Sequence, residues 1–453
     1  MNAVSRAALL VLVGLLAADA SITGLDGDLW WQRALGDFVL AHHALPQTLG
    51  PATFAAPDAR WLPHEWVFAT LWALAARADL ATAFRFGCVL VAFAALTIDA
   101  LRARGAAPAP NTIALTLVVV GMLPSFGMRA QILAWPLLAL VLLVLETGPR
   151  AAWLTIPLAI VWDNLHASGL IVPALVLVYG LGRALTQRRW SIVASAFALA
   201  AATGLASAAT PFGFGYARFA AEWSVNPATS FITEWQPISR SALLMFIGPF
   251  ALFGLILIGE LRGARLSWPQ RFVGLALFGA ALLHTRNIPL FCIAAGPWAA
   301  HALSAILPRE SPAPARSPRS DAGLLVLAAF GACLLAVAGQ RMTKAAADDP
   351  SAAVARLAAS RRTLRVACED FSTCSRFAAT PNVRVFIDGR VDGYPALVVA
   401  DYRRILAGDT AHVLERWDVD AVLAQRDSSL ARSLRRPRWQ RVMGGGTQLY
   451  LRI

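Results

Sequence analysis

The chain has 453 residues, of which 57% are hydrophobic and only 15% are charged. Soluble globular proteins contain about 45–50% apolar and about 25% charged residues, so this composition excludes an ordinary soluble enzyme. The net charge of +13 comes from arginines and a single lysine, Lys344. Many of these arginines fall in short segments between apolar runs rather than on one soluble face, which argues against nucleic-acid binding. The sequence therefore predicts a polytopic membrane protein.

Apolar runs of roughly 17–25 residues, each long enough to cross about 30 Å of hydrocarbon, recur along residues 1–340. The first run, 7–23, predicts an uncleaved helix; a signal peptide cleaved after the Ala18-Asp19-Ala20 string is the alternative. With ten further runs the sequence predicts about 11 spans. The further spans are expected at 80–101, 111–128, 131–146, 151–164, 168–184, 191–209, 242–260, 270–284, 287–306 and 322–340.

Arginines mark alternate loops between these spans, and the positive-inside rule places those loops and the N-terminus in the cytoplasm. The marked loops carry Arg102 and Arg104, Arg150, Arg183 with Arg188 and Arg189, Arg262 with Arg265, and Arg309 with Arg316 and Arg319. The opposite face then receives loop 24–79, loop 210–241 and everything after residue 340. The C-terminal domain is therefore expected on the external side of the membrane.

The composition changes near residue 341, because 31 of the following 113 residues are charged. Short strands are predicted at 383–387, 419–423 and 448–451, and helices at 401–406 and 428–434. The expected architecture is an all-α membrane domain at 1–340, which includes the external loop 24–79, followed by a small soluble α/β domain at 341–453. Cys368 and Cys374 could pair in an oxidising compartment, although their spacing does not fix the geometry.

Loop 24–79 begins with Asp26 and Asp28 directly after a membrane span, where carboxylates are costly unless they face water or a site. Paired carboxylates can divide labour, one taking a proton from a hydroxyl while the other orients it. Trp30 and Trp31 follow, either as flat faces for sugar rings or as aromatic residues of the membrane interface. After Leu29 an amphipathic helix is expected to lie on the membrane surface.

His64 and Glu65 begin a second helix of this loop and could relay protons or bind a metal ion. Adjacent residues on a helix point in different directions, and the sequence contains no HExxH motif. No metal or cofactor is therefore expected. A divalent cation held by Asp26 and Asp28, which have the form of a DxD motif, remains an alternative.

Further polar residues fall on the same predicted external face: Arg129, Gln131, Asn164, His166, Glu234, His284 and Arg286. Arginine suits a phosphate in a partly dry site, because its fork matches phosphate oxygens and stays charged. Arg286 and His284 could grip a lipid phosphate or could simply anchor the chain at the interface. The string Asp388–Asp392 after a predicted strand is interpreted as a polar turn, with a surface that closes over the membrane site as the alternative.

Several of these strings together resemble a large group of bacterial multispan proteins that is similar to the GT-C superfamily of polyprenyl-phosphate-sugar-dependent glycosyltransferases. The strings are Asp26-x-Asp28-x-Trp30-Trp31 with Gly36 and Pro46, Trp61 with His64-Glu65-Trp66, Arg129-x-Gln131, Trp162-x-Asn164-x-His166, Arg286-x-x-Pro289 and Val385-Phe386-Ile387-Asp388-Gly389-Arg390. In GT-C enzymes an acidic residue of the first external loop is the catalytic base, which implies Asp28 or Asp26. The group usually has His where this chain has Gln32.

The resemblance implies an inverting glycosyltransferase that moves a sugar from a polyprenyl phosphate to an envelope glycan, lipid or protein. It also implies a bacterial inner membrane as the location, with the C-terminal domain in the periplasm. Arg286, with Arg129 or His284, is expected to hold the phosphate, and Glu234 belongs to an acceptor-side loop. The alternative function is a non-catalytic membrane component, either a transporter of lipid-linked glycans or an envelope assembly factor. Such a component would still bind the lipid phosphate but would not need Asp28.

Overall fold

A computed structural model describes residues 11–14, 27–239, 246–307, 350–435 and 437–453. Asp26, most of the predicted span 7–23 and the whole predicted span 322–340 lie outside the described residues. The chain divides into two compact units. The first unit contains the described parts of Met1–Gly24, Thr82–Arg218 and Ser230–Thr343, and the second contains those of Leu25–Ala81, Phe219–Thr229 and Lys344–Ile453.

Helices dominate the described residues, and they are numbered here in chain order. They are α1 Asp28–His42, α2 Trp66–Arg77, α3 Ala81–Arg102, α4 Pro108–Met122, α5 Ala134–Thr147, α6 Thr155–Leu165, α7 Val172–Gln187, α8 Ser191–Ala206, α9 Gly215–Ser224, α10 Ile247–Leu261, α11 Trp268–Leu283, α12 Ile288–Ile306, α13 Ser351–Ala358, α14 Phe371–Ser375, α15 Ala396–Leu406, α16 Thr410–Arg416 and α17 Ser429–Ser433. The strands are β1 Leu364–Cys368, β2 Val383–Val385, β3 Ala421–Gln425, β4 Trp439–Met443 and β5 Thr447–Arg452.

The first unit is a multi-pass membrane domain. Counting flanking 3-10 turns, five helical segments among the described residues are long and apolar enough to cross a membrane: Ala81–Arg102, Pro108–Ser125, Ala130–Thr147, Ala167–Gln187 and Thr285–Ile306. Shorter apolar helices, among them Ala151–Leu165, Ser191–Ala206 and Ile247–Leu261, occupy further predicted spans. The predicted number of 11 spans is not confirmed, because several apolar runs form helices that are shorter than a bilayer normally requires.

Helix α12 is the central helix of this unit and is almost wholly buried. Pro297 inside α12 cannot donate to the carbonyl of Ile293, one turn earlier. The guanidinium of Arg102 donates to that carbonyl at 3.0 Å and to the Ala294 carbonyl at 3.3 Å. Arg102 is itself paired with the carboxylates of Asp99 at 2.9 Å and Glu146 at 3.0 Å. A buried ion-pair network therefore satisfies the backbone at the proline.

The second unit is built on a five-stranded sheet in the order β2-β1-β3-β5-β4. The pairs β2–β1 and β1–β3 are parallel, and β5 runs antiparallel to both β3 and β4. The predicted strands correspond to β2, β3 and β5, whereas β1 and β4 lay outside the predicted set. Cys368 at the end of β1 forms a disulfide with Cys374, with 5.7 Å between their Cα atoms.

The described part of loop 24–79, residues 27–79, packs in this second unit, whereas the sequence interpretation grouped the loop with the membrane domain. The Val385 amide donates to the Ala52 carbonyl at 2.9 Å, and the Phe54 amide donates to the Val385 carbonyl at 3.1 Å. The loop thus extends the sheet at the edge of β2. Helices α1 and α2 lie side by side, and the Trp72 indole donates to the Leu29 carbonyl at 3.0 Å.

Candidate active site

Asp28 is the first residue of α1, and two features fix the position of its side chain. The indole Nε1 of Trp31, one helical turn later, donates to Asp28 Oδ1 at 2.9 Å. Gly389 lies against the same two groups, since a Cβ on it would be 2.5 Å from Asp28 Oδ1 and 2.7 Å from Trp31 Nε1. Only glycine fits there without displacing the Asp28 carboxylate. The string after β2 is therefore in contact with the predicted base.

The string Asp388–Asp392, interpreted as a polar turn, is a bend that leads into the 3-10 turn Val391–Gly393, and most of it is buried. Asp388 is fully buried and Arg390 is 7% exposed. Arg390 donates from Nη2 to Asp388 Oδ2 at 2.6 Å and from Nη1 to the Leu49 carbonyl at 2.6 Å. Its guanidinium carbon also lies 5.2 Å from the centre of the Trp61 ring. Through Leu49 and Trp61, Arg390 thereby joins the C-terminal domain to loop 24–79.

Asp392 extends this buried cluster towards His64. Its Oδ1 accepts a hydrogen bond from Trp61 Nε1 at 3.3 Å, and its Oδ2 lies 3.9 Å from His64 Nδ1. Burial raises the pKa of Asp392 to about 6, against an opposing effect from His64. On its other side, His64 Nε2 lies 3.6 Å from Glu65 Oε1, and the amide of Gln32 donates to Glu65 Oε2.

The two tryptophans of the first string have different surroundings. Trp31 is buried and meets Trp61 edge to face, with 5.7 Å between ring centroids. Trp30 is 36% exposed, and the guanidinium carbon of Arg376 lies 5.8 Å from the centre of its ring. Trp30 therefore presents an accessible aromatic face, whereas Trp31 orients Asp28.

A second cluster lies in the first unit and centres on Glu234. Arg129 Nη1 is 2.9 Å from Glu234 Oε2, and Arg286 Nη1 is 3.8 Å from Glu234 Oε1. The guanidinium carbon of Arg286 lies 4.5 Å from the centre of the Trp235 ring. A ring nitrogen of His284 is 2.7 Å from the Trp235 carbonyl. Glu234 therefore lies between Arg129 and Arg286, two residues that the sequence analysis expects to hold the phosphate.

The remaining predicted residues of this unit are bound to nearby turns. Gln131 donates to the Ser125 carbonyl at 3.4 Å, and Asn164 donates to the carbonyls of Ile160 and Ala209 at 2.9 and 3.1 Å. His166 is buried, and its Nδ1 lies 2.8 Å from Ser168 Oγ.

Asp388, Arg390 and Asp392 were not among the predicted site residues, although their string contributed to the resemblance. The available signal was two aspartates flanking an arginine directly after a strand, a pattern that an exposed turn also shows. The sequence alone does not reveal that this segment is buried, because Arg390 and its partner Leu49 are 341 positions apart.

No protein-family model matches the chain, and no curated protein sequence matches it. Solved structures do match. ArnT from Cupriavidus metallidurans in the apo state aligns with a TM-score of 0.58 and 13% identity, over 99% of this chain and 97% of that one. The fold of the chain is therefore similar to that of ArnT. The Archaeoglobus fulgidus oligosaccharyltransferase, tethered to an acceptor peptide with an NVT sequon, aligns with a TM-score of 0.55 and 13% identity, over 93% of this chain and 69% of that one.

Both of these neighbours are GT-C glycosyltransferases, so the resemblance inferred from the sequence strings is confirmed at the level of the fold. At 13% identity the likeness concerns the fold and leaves the reaction to be argued from the residues.

Proposed function

We propose that the chain is a membrane glycosyltransferase that moves a sugar from a polyprenyl phosphate to an acceptor hydroxyl, with inversion at the anomeric carbon. The observation that carries the proposal is the placement of Asp28 within a GT-C fold. Its carboxylate stands at the start of α1, held by the Trp31 indole and by the close approach of Gly389. A general base must be positioned in this way before it can take a proton efficiently.

The chemical step is a single displacement. The acceptor oxygen attacks the anomeric carbon of the donor, and the bond from that carbon to the phosphate oxygen breaks with its electron pair. The Asp28 carboxylate takes the proton of the attacking hydroxyl. The polyprenyl phosphate leaves with an added negative charge, which cationic donors stabilise.

The arginines around Glu234 are the residues we assign to that phosphate. Arg129 and Arg286 are both partly exposed and already converge on one anion, the Glu234 carboxylate. A phosphate oxygen in the place of that carboxylate would receive charge-assisted hydrogen bonds from both guanidiniums. We assign His284 a supporting role, because it fixes the Trp235 backbone beneath Arg286.

The acceptor is proposed to be a glycan, lipid or protein of the cell envelope on the outer side of a bacterial inner membrane. The positive-inside distribution of arginines supports this orientation, with the N-terminus in the cytoplasm. The Cys368–Cys374 disulfide supports it as well, since disulfides persist in oxidising compartments.

The test is mass spectrometry of envelope glycans and lipid-linked sugars from a deletion strain carrying plasmid-borne variants. We expect one sugar to be missing from a glycan, its polyprenyl-phosphate donor to accumulate, and wild type but not Asp28→Asn to reverse both. Arg286→Ala should weaken donor binding by at least about tenfold, because it removes a charge-assisted contact to phosphate. Arg271→Ala is the matched control, because Arg271 also pairs with a glutamate, Glu260, and also stacks on a tryptophan, Trp268.

Full function of Asp28→Asn would exclude Asp28 as the base and leave Asp26 to be tested in the same way. If neither carboxylate is needed while Arg286→Ala is inactive, the protein handles lipid-linked glycans without transferring sugar. Equal effects of Arg286→Ala and Arg271→Ala would contradict the phosphate assignment.

A further inference from the structure

A cavity of about 710 Å³ lies in the second unit, apart from the buried cluster around Arg390. Its wall includes Gly27, Thr373, Arg376, Gln425 and Arg426. Sites for small molecules commonly measure about 300–1,000 Å³, so the volume is sufficient for one or two sugar rings. Gly27 directly precedes Asp28, and a Cβ on it would be 2.2 Å from the Cβ of Ser372. The cavity wall is therefore in direct contact with the start of α1.

The charge of the cavity favours an anion. Arg376 and Arg426 supply two guanidiniums, and Arg426 is 71% exposed, paired with Asp427 only at 3.5 Å. Asp370, an acidic residue of the same wall, caps the start of α14, since its carboxylate accepts hydrogen bonds from the amides of Ser372 at 3.0 Å and Thr373 at 3.2 Å. An incoming negative group thus meets two cations and a carboxylate that is already bound to the start of α14.

The rest of the lining suits a ligand rich in hydroxyl groups. Thr373, Gln425 and Thr447 offer donors and acceptors, and Gly445 and Gly446 leave the backbone of the β4–β5 turn open to close approach. Arg376 also lies over the accessible ring of Trp30. Charge, hydroxyl partners and an adjoining aromatic face are the groups that recognise an acidic sugar.

We propose that this cavity binds an anionic sugar unit of the acceptor, one that carries a carboxylate or a phosphate. The inference rests on the proposed function, because it takes the occupant to be the acceptor whose hydroxyl Asp28 deprotonates. Arg376 and Arg426 select for the negative group, and the open turn of Gly445 and Gly446 admits the ring. The substrate class is then an acidic or phosphorylated envelope glycan.

The experiment is calorimetric titration of the full-length protein in nanodiscs of zwitterionic lipid, without donor. Digalacturonic acid is the anionic probe, galactobiose the neutral one, and inorganic phosphate the test of charge alone. We expect digalacturonic acid to bind more tightly than the other two. Arg426→Gln should raise its Kd about tenfold, the loss expected for one charge-assisted contact. Arg438→Gln is the matched control, because Arg438 is also 71% exposed but lies outside the cavity wall.

Equal binding of digalacturonic acid and galactobiose would overturn the proposal, as would phosphate binding as tightly as the acidic sugar. If Arg426→Gln and Arg438→Gln raise the Kd equally, the probe is bound by the overall positive charge of the domain and not by the cavity. Arg376 also contacts Ser351 and Trp30, so its replacement could alter the fold. The Kd of Arg376→Gln is therefore interpreted only if the thermal midpoint of this variant equals that of wild type. The titration measures binding without sugar transfer. A failure of the cavity proposal therefore appears as absent binding of the acidic sugar, whereas a failure of the proposed function appears as sugar transfer that persists in Asp28→Asn.

Discussion

Replacing Arg390 by methionine removes the cation that neutralises Asp388 in the interior of the second unit. Asp388 is fully buried, and Arg390 donates to it from both Nε and Nη2. Breaking a buried pair by removing one partner costs about 3–5 kcal/mol, because the other charge stays buried without compensation. The Leu49 carbonyl also loses its donor, which adds to the loss. Arg390→Met should therefore destabilise the protein by at least about 3 kcal/mol.

The matched control is Arg438→Met, which removes one arginine of an exposed pair in the same domain. Arg438 and its partner Glu415 are 71% and 48% exposed. Exposed pairs contribute about 0–1 kcal/mol, so the control should be nearly as stable as wild type. Thermal unfolding of the full chain in detergent, followed by tryptophan fluorescence, measures both. A loss of about 3 kcal/mol corresponds to roughly 6–12 °C in Tm for a unit of this size.

The double variant Asp388→Asn with Arg390→Met completes the cycle. With both charges removed, no uncompensated ion is left, so the double variant should be more stable than the sum of the single losses implies. Additive losses would refute the argument that the pair is coupled in the interior. A loss in Arg390→Met no larger than in Arg438→Met would show that the Asp388 site is hydrated.

The remaining predictions concern neighbours of the same cluster. Gly389→Ala should lower the transfer rate about 100-fold, because its Cβ would displace the Asp28 carboxylate, whereas Gly444→Ala, which meets open space, should not change it. Equal rates in the two variants, from the mass-spectrometric transfer assay, would contradict this. The pKa of Asp392, which faces His64, Glu65 and Arg390, is raised from 3.8 to about 6, so the folded protein holds a proton that the unfolded chain has lost and stability falls as the pH rises through this interval. Asp392→Asn has no carboxyl group to titrate here, so its Tm minus the Tm of wild type should increase between pH 4 and pH 7. If the Tm of the two proteins changes in parallel with pH, the pKa of Asp392 is not raised.

The sequence predicts the membrane class and the positions of most described helices, because hydropathy is a local property. The apolar run predicted at 80–101 forms α3, and the run at 287–306 forms α12. The number of membrane spans is less predictable, because the length of an apolar run does not show where a helix is interrupted. Before α6, for example, residues Ala151–Leu154 form a 3-10 turn.

The sheet is predictable where strands are apolar and less so elsewhere. β3 is a buried apolar run and was expected, whereas β4 at the sheet edge contains Gln440 and Arg441, both exposed. A polar edge strand owes its conformation to the hydrogen bonds of its neighbour rather than to its own side chains. The attachment of residues 52–54 to β2 is of the same kind, because it joins segments more than 300 positions apart in the sequence.

The placement of acidic residues around loop 24–79 explains why we assign the proton transfer to Asp28 rather than to a neighbour. Asp388 is bound to Arg390, and Glu65 is bound to Gln32 and faces His64. Asp392 has a pKa near neutrality, which suits a base, but its side chain is only 10% exposed and is covered by Trp61 and His64. An acceptor hydroxyl must reach within about 3 Å of the base, so accessibility decides before pKa does. Asp28 is half-buried and directly follows Gly27 of the cavity wall, so we expect it to be the carboxylate that an acceptor in the cavity reaches. Sugar transfer that survives Asp28→Asn but not Asp392→Asn would reverse this order.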